Sequence, residues 1–319
     1  MLKLYLLVFI KTLKLNYLQL FNTPILFIVF NRPKPTKKVL DMLSSIKPKQ
    51  LFISADGPRK KNENDIKNCE EVRNIIKNIH WDCEVKYLLR NENLGCKNAV
   101  SDAISWFFSN VEQGIILEDD CLPNQSFFTF CENMLSTHKN DDQIMHIGGT
   151  NFQSKDVTLS DSYYYSRIVH VWGWASWKRA WDLYNVTIDE YTRPILRKWF
   201  TDYKFNKNSF LYWHQAFTSV KENRINTWDY QWTYALWKHN GLSIIPSQNL
   251  VTNIGFDKNA THTTKGAETY ALLPMYDLNE IIHPTSKVVN LTLDNYTFSK
   301  WYIKRSLAKR IIDLIKNAF

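Results

Sequence analysis

A chain of 319 residues with 45% hydrophobic and 22% charged content holds enough apolar material for one large α/β core plus an extension, which excludes an intrinsically disordered chain. The formal charge of +9 is uneven: residues 1–50 carry nine Lys and Arg against Asp41 alone, and the tail from Ser299 carries six against Asp313. Five scattered Cys without a CxxC pair disfavour a disulfide framework and suit reduced thiols in the cytoplasm.

Leu4-Tyr-Leu-Leu-Val-Phe-Ile10 is an apolar run of seven, too short to cross a bilayer and followed by no small-residue cleavage site. Residues 1–22 therefore read as an interfacial segment or as a stretch ahead of the fold. From Pro24 the chain alternates strand and helix signals. Pro24–Phe30 is a continuous apolar run, as in a strand covered on both faces. Helical spacing follows over Pro35–Ile46, then a strand at Leu51–Ser54, a helix over Asp65–Ile79 and a strand at Cys83–Leu89. A helix over Lys97–Ser109 and a strand at Gly114–Leu117 complete the series.

That alternation predicts βαβ units and a largely parallel, Rossmann-like sheet flanked by helices. In such sheets ligands bind beyond the carboxyl ends of the strands. Those ends here are Asn31-Arg32, Asp56-Gly57, Asn91–Gly95 and Glu118-Asp119-Asp120, so polar groups gather on one rim. From Ser162 the sequence turns aromatic, then helical to about Asn240, with a further strand at Leu242–Ile245. Lys300–Lys316 reads as a basic amphipathic helix that docks either on a membrane surface or on the domain. The organisation expected is 1–22, a catalytic domain over 23–265 divided near 150, and an extension over 266–319.

Three adjacent carboxylates after a buried strand are costly unless a cation binds them, and hard oxygen ligands suit Mn²⁺ or Mg²⁺. The competing account is a solvated acidic turn. Strand alternation would put Glu118 and Asp120 on one side and Asp119 on the other. Arg32 suits a phosphate or nucleobase, and equally a surface position. Asp56 can accept hydrogen bonds from a base or ribose, or form an Asx-turn. In the Asn91–Lys97 loop, Asn93, Gly95 and Lys97 can approach a phosphate or base.

Asp229, set among Trp228, Tyr230 and Trp232, can serve as a partly desolvated general base or as a helix cap. Trp172, Trp174 and Trp228 suit an acceptor wall or the core. His262, in a polar stretch, suits a metal or diphosphate contact on a closing loop, or plain surface.

With these residues assembled, the chain resembles GT-A fold glycosyltransferases, more narrowly bacterial family 2-like proteins related to the N-acetylglucosaminyltransferase I type. The resemblance spans about Pro24–Thr264 and is carried by Ile-Val-Phe-Asn31-Arg32, Asp56, Glu118-Asp119-Asp120, Ile144–Asn151, Val171-Trp-Gly-Trp-Ala175 and Trp228-Asp229-Tyr-Gln-Trp232. It implies that Asn31, Arg32 and Asp56 contact the nucleotide, that Asp120 ligates the metal, and that Asp229 is the base of an inverting sugar transfer. Asp119 would then turn toward the nucleotide, with Glu118 supporting. The implied donor is a nucleotide-diphosphate sugar, a UDP-sugar foremost. The acceptor would be a glycan or lipid-linked glycan in surface polysaccharide or lipopolysaccharide assembly, with the enzyme peripheral on the inner face of the cell membrane. Two features depart from the type. No His matches its nucleotide contact in Asn91–Lys97, and the Trp228-Asp229 element is one residue longer.

Two other classes are compatible with parts of the sequence. A sugar-nucleotide pyrophosphorylase would carry a Gly-rich basic loop after the first strand, where this chain has Asn31-Arg-Pro-Lys-Pro35. A non-enzymatic protein binding membrane or nucleic acid through its basic ends would leave the rim carboxylates unexplained, and nucleic acid is not expected as a partner.

Overall fold

The computed structural model describes residues 21–153, 157–255, 273–278 and 280–302. His262, the apolar run at Leu4–Ile10 and most of the amphipathic stretch at Lys300–Lys316 lie outside those residues. The first half is strand–helix alternation: β1 (Ile25–Val29), α1 (Pro33–Ile46), β2 (Gln50–Ala55), α2 (Glu63–Lys77), β3 (Glu84–Leu89), α3 (Gly95–Asn110) and β4 (Gln113–Glu118). The helix starts have local causes. Pro33 opens α1 with its φ already suited to a helix, and Asn62 caps α2 by accepting from the Asp65 N–H at 3.1 Å.

The second half supplies β5 (Cys121–Pro123), α4 (Gln125–Thr137), β6 (Ile144–Gly148), β7 (Tyr163–Ser166), β8 (Trp174–Trp177) and α5 (Lys178–Trp181). Then come α6 (Arg193–Asp202), α7 (Phe210–Lys221), α8 (Asp229–Lys238), β9 (Leu242–Pro246), β10 (Val251–Asn253) and α9 (Leu291–Trp301). Eight strands form one sheet in the order β3-β2-β1-β4-β8-β6-β9-β7, and β5 pairs with β10 beside it. The pairings β3–β2, β2–β1, β1–β4 and β6–β9 are parallel; β4–β8, β8–β6 and β9–β7 are antiparallel.

The result is a mixed α/β sheet, mostly parallel and flanked by helices, consistent with a Rossmann-like nucleotide-binding fold. Sequence pattern predicted the parallel half. The antiparallel β8 was harder to see, because Trp174-Ala-Ser-Trp177 has all four residues buried and no polar alternation.

Period-two alternation sorts the strand residues into two layers. Ile25, Phe27, Val29, Ile115 and Leu117 pack with Val39, Leu43, Val72 and Phe127 on the face covered by α1, α2 and α4. Leu26, Ile28 and Ile116 face the other layer, with Phe107 and Phe108 of α3 and the aromatic helices α5 to α8. β3 is the edge strand and carries exposed Glu84 and Lys86, the charged blunting expected of an unpaired edge.

Two polar contacts are sealed inside this core. His146 on β6 has no exposure; Trp232 Nε1 donates to its Nδ1 at 3.2 Å, and its Nε2 lies 3.0 Å from the His170 carbonyl. Burial drives its pKa down to about 3, so it is a neutral core histidine.

Asp294 on α9 is 1% exposed and accepts from Ser166 Oγ at 2.5 Å and from the Arg167 N–H at 2.9 Å. These bonds, with the fully buried Phe298, dock the described part of the extension on the domain.

Burial raises the Asp294 carboxyl from 3.8 to about 7. A raised folded pKa means that its contribution to stability is complete below the unfolded value and is lost as pH rises through the folded one. Thermal unfolding should therefore show a smaller loss of Tm between about pH 5 and about pH 8 in Asp294→Asn than in the parent chain. An equal loss in both would contradict the assignment.

Candidate donor and acceptor site

The order β3-β2-β1-β4 reverses direction between β1 and β4, because α1 carries the chain to one side of β1 and α3 returns it to the other. Ligands in such sheets bind at this switch point, beyond the carboxyl ends of the two strands. β1 delivers Arg32 there and β4 delivers Glu118, Asp119 and Asp120.

The carboxylates do not follow the strand alternation predicted from sequence. β4 ends at Glu118 and the chain turns, so Arg32 spans both following residues. Its Nη2 donates to Asp119 Oδ1, and its Nη1 to Asp120 Oδ2 at 2.8 Å. The Phe30 N–H donates to the other Asp119 oxygen at 3.2 Å. Asp119, at 2% exposure, is thus spoken for on both oxygens and ties β4 to β1. Both of its oxygens, expected to turn toward a nucleotide, are bonded within the protein here. Arg32 is likewise not aimed at a base: burial opposes its charge, but Asp119 and Asp120 hold the guanidinium above its ordinary pKa.

Glu118 accepts no side-chain hydrogen bond among the described residues, and strand alternation directs it to the layer of α3 and α8. Burial first, then the charge of Asp120, pushes its pKa up to about 8. Asp229 is among the charges that it feels. Burial also raises Asp119, to about 6, against the pull of Arg32. Carboxylates so raised form a site deficient in positive charge, which a divalent cation would correct.

The donor set fits such an ion: hard oxygens on Glu118 and Asp120, with Asp120 partly exposed at 14%. Among the described residues no three His, Cys, Asp or Glu side chains form a ready-made metal cage. Mg²⁺ sites commonly take only one or two carboxylates and complete their shell with substrate phosphates and water.

Asp56 is 7% exposed and organises the neighbouring loop rather than facing outward. It accepts from the Gly57 N–H at 2.9 Å, Asn93 Nδ2 at 2.9 Å and the Leu94 N–H at 3.1 Å. Desolvation raises its pKa, opposed by those N–H groups. The loop occupies the positions expected for a base or ribose. Asn31 Nδ2 donates to Asp65 Oδ1 at 2.7 Å, and Asp65 in turn receives Arg59, whose guanidinium lies 5.7 Å from the Phe30 ring centre. Gly95 opens α3 at φ +77, where a Cβ would also lie 2.6 Å from Asn226 Nδ2. Lys97 bonds Asn226 through its N–H at 2.8 Å and Asn223 through Nζ at 2.6 Å, so it joins the two halves of the cleft.

Asp229 is the first residue of α8 and its carboxylate accepts from Thr227 Oγ1. Its carboxylate does not cap α8 and lies within electrostatic reach of Glu118. Trp174 and Trp228 are 1% and 3% exposed and stack on each other at 5.7 Å. The two indoles expected at an acceptor wall are thus packed in the core. Trp172 is half-buried, edge-on to Phe152 at 5.2 Å.

Three participants escaped the sequence. Gly255 follows β10, and a Cβ there would come 2.4 Å from Asp120 Oδ2 and 2.7 Å from Arg32 Nη1. Cys96 lies within reach of the charges of Glu118, Asp229, Arg32 and Asp56. Asn226 bridges to α3. The isolated glycine in Asn253-Ile-Gly255 was a signal for close approach; Asn226 gave none. A recess of about 350 Å³ lined by Asn22, Lys49, Gln50, Asp82, Cys83 and Glu84 opens at the amino ends of β2 and β3, the far end of the sheet.

Removing Arg32 leaves Asp119 buried without its cation. Arg32→Met should therefore lower unfolding free energy by about 3–5 kcal/mol in urea titration. A loss below about 1 kcal/mol, the range of exposed pairs, would contradict this account.

No family model and no curated protein matches the chain. Among solved structures, it is similar to HddC from Yersinia pseudotuberculosis, with 13% identity, 49% of this chain and 77% of that chain covered, and a TM-score of 0.30. It is also similar to the 4-diphosphocytidyl-2C-methyl-D-erythritol synthase from Anaerococcus prevotii, with 10% identity, 51% and 74% covered, and a TM-score of 0.31. At these scores the likeness carries no argument about function.

Proposed function

We propose that this chain is a metal-dependent, inverting glycosyltransferase that takes its sugar from a nucleotide-diphosphate donor, a UDP-sugar foremost. The observation behind this reading is the placement of Glu118 and Asp120 at the β1–β4 switch point, with Asp229 within electrostatic reach of Glu118. Glu118 and Asp120 offer carboxylates for a cation, and Asp229 offers one for a proton. Sugar transfer to a hydroxyl needs both.

In this scheme Asp229, oriented by Thr227, takes the proton of the acceptor hydroxyl. The acceptor oxygen bonds to the anomeric carbon as the bond from that carbon to the diphosphate breaks, and the electron pair leaves with the diphosphate. A Mn²⁺ or Mg²⁺ held by Asp120 and Glu118 would supply stabilisation of that leaving charge. Arg32 fixes Asp120 in place and Asp119 anchors Arg32. Asp56 and Asn93 hold the loop that borders the nucleotide, and Lys97 and Gly95 keep α3 against the Asn223–Asn226 turn. His262 remains in the proposal as a contact to metal or diphosphate.

Nucleotidyl transfer is the second reading, and one observation weighs against it. Where such an enzyme needs a Gly-rich loop to wrap a triphosphate, Arg32 is clamped by two carboxylates and Pro33 starts α1 at once. The acceptor proposed is a glycan or lipid-linked glycan of a bacterial surface polysaccharide. Among the described residues no helix is long and apolar enough to cross a membrane. Docking on an anionic membrane surface from the cytoplasm is part of the proposal.

UDP with Mn²⁺ at about one hundred times Kd should stabilise the protein by about 2.7 kcal/mol, and Asp120→Asn should abolish the metal-dependent part. Asp229→Asn should keep that stabilisation while turnover of the donor falls by a factor of about 10²–10⁴. If Asp229→Asn weakens donor binding as much as turnover, Asp229 is not the base.

A further inference from the structure

β6 runs parallel to β4 through the antiparallel β8 between them, so the exit of β6 and the entry of β8 lie on the same rim as the carboxylates. The exit carries Phe152 and the entry carries Trp172. The end of α9, in the extension that no motif covered, reaches this rim as well. Trp301 lies 5.6 Å from Phe152, and Phe152 lies 5.2 Å from Trp172, ring centre to ring centre. Tyr302 packs on Tyr212 at 5.2 Å, and the Tyr212 and Tyr230 hydroxyls are 2.7 Å apart. Tyr302, Tyr230 and Tyr212 all lie within electrostatic reach of Asp229. Gln153 Nε2 donates to Thr297 Oγ1 at 2.8 Å and to the Leu293 carbonyl at 3.2 Å, which fixes α9 to the Phe152 turn.

These six rings differ from the core aromatics beside them. Trp232 and Trp237 have no exposed surface, whereas Phe152, Trp172, Tyr212, Tyr230, Trp301 and Tyr302 are each half-buried. A partly exposed aromatic surface of this kind matches a pyranose, which offers C–H groups from its faces.

We infer that the C-terminal extension completes the acceptor side of the cleft, with Trp301 and Tyr302 joining Phe152 and Trp172 in an aromatic wall that stacks on a pyranose ring of the acceptor. The inference rests on the reading of Asp229 as the base, and it names the substrate class on that side of the site. It makes the extension a specificity element rather than a brace, and it replaces the buried Trp174 and Trp228 with rings that a sugar can touch.

The test is saturation-transfer NMR of the full chain with UDP and Mg²⁺, using the methyl glycosides of glucose, galactose, mannose and N-acetylglucosamine as probes. The ring protons of at least one glycoside should receive saturation. Trp301→Ala should weaken that glycoside about tenfold or more, while Trp301→Phe, which keeps a stacking face, should stay within about threefold of the parent chain. UDP–Mg²⁺ affinity should change less than about twofold in both variants, which separates lost stacking from lost folding. If no glycoside is bound by the parent chain, or if Trp301→Ala binds it unchanged, the inference is overturned. Glycoside binding that depends on Trp301 in a protein that ignores UDP would support the wall and remove the donor reading.

Discussion

The clamp of Arg32 on Asp119 and Asp120 is the contact on which the rest of the site depends. It joins the end of β1 to the turn after β4, the two strands between which the sheet reverses. Four acidic groups converge there, counting Glu118 and Asp229, and one guanidinium cannot neutralise them all. Asp119 absorbs the structural share: it is buried, paired and bonded to the Phe30 N–H. Asp120 accepts from Arg32 and, at 3.4 Å, from Cys121 Sγ while keeping 14% exposure, and Glu118 accepts no side-chain hydrogen bond among the described residues. The three adjacent carboxylates thus differ in partners and burial, a difference that strand periodicity alone does not predict.

The aromatic half of the molecule follows from the same geometry. β8 runs antiparallel beside β4 and carries Trp174 into the layer beneath α8, where Trp228 and His146 stack on it. That stack sets the start of α8, and with it Asp229, against the carboxylates. The high Trp content is therefore mostly core. The half-buried rings nearer the rim come from four separated stretches of chain: the exit of β6, the entry of β8, the α7–α8 region and the end of α9.

Sequence reading captured the parts ruled by local physics. Apolar runs gave β1 and β4 within a residue or two, helical spacing gave α1 to α3, and the rim of polar residues followed from the βαβ logic. Long-range pairing, which decides the rest, was not legible. Asp56 and Asn31, expected at a nucleotide, are bonded here to Asn93 and Asp65, partners that no local signal announces. Trp174 and Trp228 were read as an open wall because nothing local separates a buried indole from an exposed one. Gly255 lies 137 positions after Glu118 in the numbering, and only the β5–β10 pairing brings it to Asp120. The roles of Trp301 and Tyr302 were hidden for the same reason.

The two readings of the site differ in which bond of a sugar nucleotide breaks, and phosphorus NMR sees that directly. With Mn²⁺ removed by chelation after incubation of the protein with pyrophosphate and a panel of UDP-sugars, the two linked resonances of UDP should accumulate from one donor while the pyrophosphate is left unconsumed. Consumption of pyrophosphate with release of UTP and a sugar 1-phosphate, and no UDP from any donor, would contradict this account.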